Sequence, residues 1–301
     1  MKKKLFSLFL MFAVVLQCSI TAFATDTQNA LPYEQYCDKT TQVGNSALSV
    51  INDQRISNYY EGIQVATGFE PVSATRQTVY VIDTLDSAGN VVESRLMTNQ
   101  EVSEYNARLS AGQTRANTWV GEDGEDHQGG KLSIYLVVYK DSSRNYYAYG
   151  TADWENGVYH GGVNGPSAGY DFMALTWGGG GELKNSSSSD RSISGEYQYD
   201  QGAISFSRAQ SDTYCGYCWQ FDDTKGAYFA DYIDCYAKLS QTYSGYLGKE
   251  TNIRLTYIHT YQAAVGTISF EGGSSGAAAG VSLSSCDKQW QLEIDVPSIF
   301  Y

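Results

Sequence analysis

The stretch that most limits the fold is residues 132–154, LSIYLVVYKDSSRNYYAYGTADW. Leu132, Ile134, Leu136 and Val138 fall on one side, and Ser133, Tyr135, Val137 and Tyr139 on the other. A period of two, carried by β-branched and aromatic residues, predicts a strand. The polar run 140–145 predicts a turn, and 146–154 returns as a second aromatic-rich strand. A hairpin this apolar on both faces needs cover on both sides, which a layered β structure supplies.

Other segments point the same way. Residues 78–85 and 91–97 predict a hairpin around the Gly-containing turn 86–90. Thr98-Asn99-Gln100-Glu101 is a capping box, in which the Thr98 hydroxyl accepts from the Glu101 amide and the Glu101 side chain reaches back. Val102, Tyr105 and Leu109 share one face of the helix that follows, and Gly112 suits its C-terminal position. Strands are then expected at 170–177, 195–199, 203–208, 214–221, 228–239, 253–262, 265–270, 281–284 and 290–296. The last, WQLEIDV, turns Trp290, Leu292, Ile294 and Val296 inward. Residues 228–239 also fit a helical period, but their β-rich neighbours favour a strand. Residues 46–60 fit a helix only loosely and read as peripheral.

Strands this closely spaced predict an all-β chain built as an antiparallel two-sheet sandwich, with a barrel as the alternative. The expected division is a leader over 1–24, an N-terminal region over 25–117 with its hairpin (78–97) and helix (98–111), and a β-sandwich domain over 118–301. Composition agrees, with 25 Tyr and 30 Gly but only 4 Pro, a mixture of strand and turn formers.

The start of the chain reads as an export signal. Lys2, Lys3 and Lys4 precede an apolar run over 5–16 that is too short to span a bilayer well, and Ala22-Phe23-Ala24 fits the small-x-small cleavage rule. Gln17 is unsuited to a lipoprotein site at Cys18, so Cys18 is expected to leave with the leader. A secreted, extracellular protein with no transmembrane segment in its mature part follows. Without the three leader lysines, 17 Lys and Arg face 33 Asp and Glu, a net charge of about −16. That balance disfavours nucleic acid and anionic membranes, which need clustered cations.

Export permits disulfides. Cys215, Cys218, Cys235 and Cys286 are the candidates, and two bridges among them allow three connectivities. Pairing of Cys215 or Cys218 with Cys235 is favoured, because 217–221 and 228–239 read as neighbouring strands. Cys37 is then left over or takes one of the four. Cys215-Gly216-Tyr217-Cys218 matches CxxC. However, the strand-like Trp219-Gln220-Phe221 follows it rather than a helix, and no second metal-ligand pair is present.

No coherent catalytic set emerges, and no catalytic or metal-ligating residue is assigned. Gly165-Pro166-Ser167-Ala168-Gly169 has the letters of a nucleophile elbow, with His160-Gly161-Gly162 just before it. The downstream segment reads as a strand where the mechanism requires a helix, so a Gly/Pro turn is expected. Residues 122–127, EDGEDH, form the densest acidic run. They read as a solvated loop, so no cofactor is expected, with structural calcium as the alternative. His259 lies on the face of Ile253, Leu255 and Tyr257 and reads as a satisfied core or edge histidine.

The five tryptophans and many tyrosines supply flat faces that either fill the core or stack on sugar rings. Trp154 and Trp177 end their strands beside Gly-rich loops. With Tyr159 and Tyr170 they form the expected ligand-binding rim. The leading functional expectation is therefore non-enzymatic, a secreted binding or surface-interaction protein with an extracellular glycan or protein as ligand. The alternatives are a secreted hydrolase of polysaccharide or peptide and a β-pore-forming protein. The pore reading draws on the Ser/Gly-rich stretches 178–211 and 265–284.

Overall fold

In the computed structural model, the described residues are 35–111, 118–120, 124, 126–154, 170–178, 182–225, 228–242, 250–261, 267–271, 277–284, 286 and 288–300. The export leader, Gly112, Tyr159, His160 and the GxSxG segment lie outside them, as do Glu122, Asp123 and Glu125 of the acidic run.

Among the described residues, ten strands form one sheet: β1 (Asp38–Val43), β2 (Glu70–Leu85), β3 (Val91–Leu96), β4 (Thr118–Val120), β5 (Asp126–Lys140), β6 (Asn145–Trp154), β8 (Leu183–Lys184), β9 (Arg191–Tyr197), β12 (Thr224–Lys225) and β13 (Tyr228–Gln241). Five form a second: β7 (Asp171–Trp177), β10 (Phe206–Asp212), β11 (Gly216–Phe221), β14 (Glu250–Thr260) and β17 (Gln289–Phe300). A separate hairpin joins β15 (Thr267–Glu271) to β16 (Gly280–Ser284). The large sheet runs β1-β2-β5-β6-β13, with β9 on the far edge of β13; the small one runs β10-β11-β7-β14-β17. All pairings are antiparallel, and neither sheet closes on itself among the described residues, so the sandwich reading holds rather than the barrel.

The alternation over 132–139 behaves as its period requires. Leu132, Ile134, Leu136 and Val138 enter the core between the sheets, where Met173, Leu175, Leu255, Leu292, Ile294 and Val296 meet them. Tyr135, Val137 and Tyr139 point the other way. Each side chain of this kind taken out of water contributes roughly 1.5–3 kcal/mol. The two layers also touch closely. A Cβ on Gly150 of β6 would stand 2.6 Å from Leu255 Cδ1 and 3.0 Å from Cys235 Sγ, so only glycine fits there.

The outer face of the large sheet is covered by helix α1 (Gln54–Thr67), which the loose pattern over 46–60 only partly foreshadows. The Asp53 side chain caps its N-terminus by accepting from the Ile56 amide, and Gly68, at φ 68°, ends it. Its Ile56 and Tyr60 pack on Tyr135, Val137 and Tyr139. Helix α2 (Asn99–Ser110) carries the capping box at Thr98 and Glu101, and sets Val102 and Tyr105 against Tyr80, Ile82 and Met97. The β15–β16 hairpin covers the outer face of the small sheet through Ile268, Val281 and Leu283.

Two expectations are corrected. Trp154 and Trp177 do not stand on a rim: each is only 1% exposed, because each keeps the inward phase of its strand to the last residue. The strands carrying Cys218 and Cys235 are not neighbours. β11 belongs to the small sheet and β13 to the large one, and the two thiols face different layers. No disulfide is present among the described residues. Cys218 and Cys286 meet the same apolar cluster on the outer face of the small sheet, and Cys215 is half-buried just before β11.

Candidate functional site

Two groups of chemistry-bearing residues stand out, one open to solvent and one closed. The open group lines a cleft of about 470 Å³ on the outer face of β9 and β13. Tyr232 and Asp234 of β13 form its floor, Ser194, Gly195 and Glu196 of β9 one wall, and Asp200, Gly202 and Ala203 the other.

Local sequence explains this shape. A Cβ on Gly195 would fall 2.8 Å from the Tyr232 carbonyl oxygen and 3.0 Å from Ile204 Cδ1, so glycine lets the β9 backbone lie against its neighbours. The β9–β13 register slips between Ala230 and Tyr232, and an irregularity of this kind re-aims side chains at a sheet edge. After β9 the chain turns through Tyr199 and Asp200, both left-handed at φ 55° and 56°. Neither is glycine, so each costs about 1–2 kcal/mol. The turn is tied down by Lys225 Nζ, which donates to the Gln201 carbonyl (2.8 Å), and by the Tyr197 hydroxyl, which donates to the Asp222 carbonyl (3.0 Å).

The cleft is acidic, and Tyr232 is the aromatic residue that lines it. Asp234 accepts a hydrogen bond from Ser194 Oγ at 2.8 Å. Burial, reinforced by the nearby Glu196 charge, raises the Asp234 carboxyl above its ordinary value despite that bond. Burial likewise raises Asp231, against the pull of Arg55. The Arg55 guanidinium lies 4.9 Å from the centre of the Tyr232 ring and pairs with Asp153. Tyr199, next to Asp200 in the chain, is 66% exposed and makes an edge contact with Tyr228.

The closed group lies between the sheets. Asp171 opens β7, Asp223 follows β11, and His259 sits near the end of β14. All three are buried, with candidate ligand atoms within 4.8 Å of one another. His259 Nδ1 is 3.0 Å from Asp171 Oδ2 and 3.6 Å from Asp223 Oδ2. Asp171 also accepts from the Tyr257 hydroxyl (2.8 Å) and the Thr260 amide (2.9 Å). Trp290 and Phe229 flank the imidazole at ring-centre distances of 5.0 and 6.3 Å.

Burial alone would depress the His259 imidazole. The Asp171 carboxylate beside it outweighs that effect and holds it at about 9. Asp223 is pushed well above the carboxylate range, first by burial and then by the Asp171 charge.

Of the residues expected to form a ligand rim, Trp154 and Trp177 are core residues, Tyr170 is exposed at 51%, and Tyr159 lies outside the described residues. Of the acidic run, Asp126 and His127 begin β5, and His127 is buried against Thr84. The His259 reading holds, but its partners went unread. Asp171 had a signal, since it falls in phase with inward Met173, Leu175 and Trp177. Asp223 sits between strands, where phase says nothing. The cleft residues lie on expected strands, but which strands adjoin is a non-local matter.

No protein-family model matches the chain, and no curated protein matches it. Among solved structures, it is similar to one described as pH-induced modulation of Streptococcus parasanguinis adhesion by Fap1 fimbriae. That likeness has 11% identity and a TM-score of 0.29, over 56% of this chain and 80% of the other. It is similar also to BspA_C_WT, at 8% identity and a TM-score of 0.25, over 89% of this chain and 94% of that one. Neither score reaches one half, and the functional reading rests on the chain's own residues.

Proposed function

We propose that this chain is a secreted β-sandwich protein with a non-catalytic binding role, and that the β9–β13 cleft takes an extracellular glycan. The cleft carries this reading. A sugar presents an apolar ring face and a ring of hydroxyls. Tyr232 offers an aromatic side chain, while Asp200, Glu196, Asp234 and Ser194 offer acceptors and a hydroxyl around it. Few concave, partly apolar sites with convergent polar groups are expected on one domain. The left-handed backbone at Asp200, a cleft residue, fits a position held for its side chain rather than for ease of folding. The ligand site thus moves away from Trp154 and Trp177.

The test is a glycan array probed with the full mature chain, followed by calorimetric titration of the best hits. Asp200→Asn and Asp234→Asn should each weaken binding about tenfold or more, the loss of roughly one good contact. An array without hits, or hits that bind both variants as tightly as the parent, overturns the reading. Recovery of the chain in culture medium, with a new N-terminus after Ala24, tests the export half.

One observation favours a second reading. A carboxyl raised by burial, Asp234, beside the exposed Glu196 is an arrangement that acid–base hydrolysis of polysaccharides uses. Release of reducing ends from a polysaccharide panel, abolished in Asp234→Asn and Glu196→Gln, would replace the binding role with a hydrolytic one. The described parts of the two stretches behind a pore-forming role form β8 to β10 and the β15–β16 hairpin. A liposome dye-leakage assay that stays flat removes that role.

A further inference from the structure

We propose that Asp171, Asp223 and His259 bind a first-row divalent cation, with zinc the best fit, as a structural centre between the two sheets. The three ligands come from separate elements, the start of β7, the segment after β11 and the end of β14. A cation held there would tie the small sheet's central strands to the turn that leads into the large sheet.

The spacing suits a metal. Zinc takes carboxylate oxygen and imidazole nitrogen at about 2.0–2.2 Å, which in a tetrahedral site sets neighbouring ligand atoms roughly 3.3–3.5 Å apart. The observed separations from His259 Nδ1, 3.0 and 3.6 Å, bracket that range. The second is too long for a hydrogen bond.

Asp223 supplies the independent observation. Its side chain is 2% exposed, and Oδ2 is buried with no hydrogen-bond partner while facing His259 Nδ1. A buried carboxylate oxygen without a partner is rare in folded proteins and calls for one. A cation between the three ligand atoms provides it. Two carboxylates, a neutral imidazole and a divalent cation also sum to zero charge in an apolar layer.

The surroundings support the ligands. The Thr260 amide and Tyr257 hydroxyl fix the Asp171 carboxylate, and Trp290 and Phe229 fix the plane of the imidazole. Outer partners of this kind orient metal ligands. The donor set also selects among cations. Calcium wants six to eight oxygens, and magnesium keeps several waters that this closed, aromatic-walled site does not favour. Imidazole with carboxylate suits zinc and, next, manganese.

The experiment uses the tag-free mature chain, stripped with chelator and reloaded in turn with zinc, manganese and calcium. Elemental analysis after dialysis should find about one zinc per chain. At a zinc concentration about 100-fold above Kd, Tm should rise by roughly 5–10 °C. The near-isosteric Asp223→Asn should retain less than a tenth of the zinc and lose the shift, while His127→Gln, at a buried histidine elsewhere, should behave as the parent does. A folded parent that takes up neither zinc nor manganese, or that binds calcium alone, overturns the assignment, as does full zinc retention by Asp223→Asn. If that variant does not fold, the parent titration decides by itself.

Discussion

Acidic side chains stand on both sides of strand β13, and the two groups live under different physics. On the core side, Asp171 and Asp223 are buried beside His259, next to the Phe229 ring of β13. On the outer side, Asp234 is half-buried, and Glu196 and Asp200 are exposed around a cleft. A charge in the dry layer survives only with a partner, so the core group is bound into the fold. The outer carboxylates can trade water for a ligand at little conformational cost. The same residue type thus serves cohesion on one face and recognition on the other, and burial decides which.

The largest expected effect belongs to the core. Asp171→Ala leaves the His259 imidazolium without its ion-pair partner, and the Tyr257 hydroxyl and Thr260 amide without their acceptor. It should cost about 3–5 kcal/mol in urea unfolding under chelator. A loss below about 1 kcal/mol would mean that the buried group is not part of what holds the sheets together.

Next comes the close approach of the layers. Gly150→Ala should cost about 1–3 kcal/mol, because its methyl carbon meets Leu255 and Cys235. Equilibrium unfolding with an unchanged denaturant slope would locate the effect in packing rather than in the unfolded chain.

A smaller effect concerns Glu101, a surface-side acid that separates charge from capping. Burial acts to raise its carboxyl, but hydrogen bonds from Arg95 and the Thr98 amide outweigh it and bring it down to about 2. A depressed carboxyl stabilises the fold above its unfolded value near 4.5, and that contribution fades as pH falls from there toward 2. Because the pair is partly exposed, screening reduces it to about 1 kcal/mol. Glu101→Gln keeps the reach back to Thr98 but should flatten this part of the acid unfolding profile. An unchanged profile would remove the ion pair from the account.

The smallest stability effect should fall in the cleft. Burial raises Asp234, so its ionised form weakens the fold as pH climbs past the ordinary carboxylate value. Asp234→Asn should therefore leave stability at neutral pH within about 0.5 kcal/mol of the parent or slightly above it, even as it weakens ligand binding. A large destabilisation there would erase the distinction between the two acidic groups.

Much of the sandwich was legible because its evidence is local. The period over 132–139 and 290–296 fixes the inward residues without reference to any other segment, and the Thr98–Glu101 box marks a helix start by itself. What escaped depends on distant partners. β2 begins at Glu70, eight residues before the expected start, since its Ser73, Thr75, Arg76 and Gln77 are buried by neighbours that pattern alone does not reveal. Cysteine pairing failed for the same reason, because adjacency along the chain placed β11 beside β13 when the two belong to opposite sheets. The Gly-rich segments after Trp154 and Trp177 point to a rim, while strand phase, equally visible, points inward, where both side chains lie.

The paired left-handed residues at Tyr199 and Asp200 have a consequence for how such a chain can change over generations. Glycine at either position would relax the turn, and random mutation under selection for robustness alone would drift toward it. At position 200, doing so would strip the cleft of one of its acids. Selection for durability and selection for recognition therefore pull this short turn in opposite directions, and the residues occupying it across descendants of this chain would record which pressure prevailed.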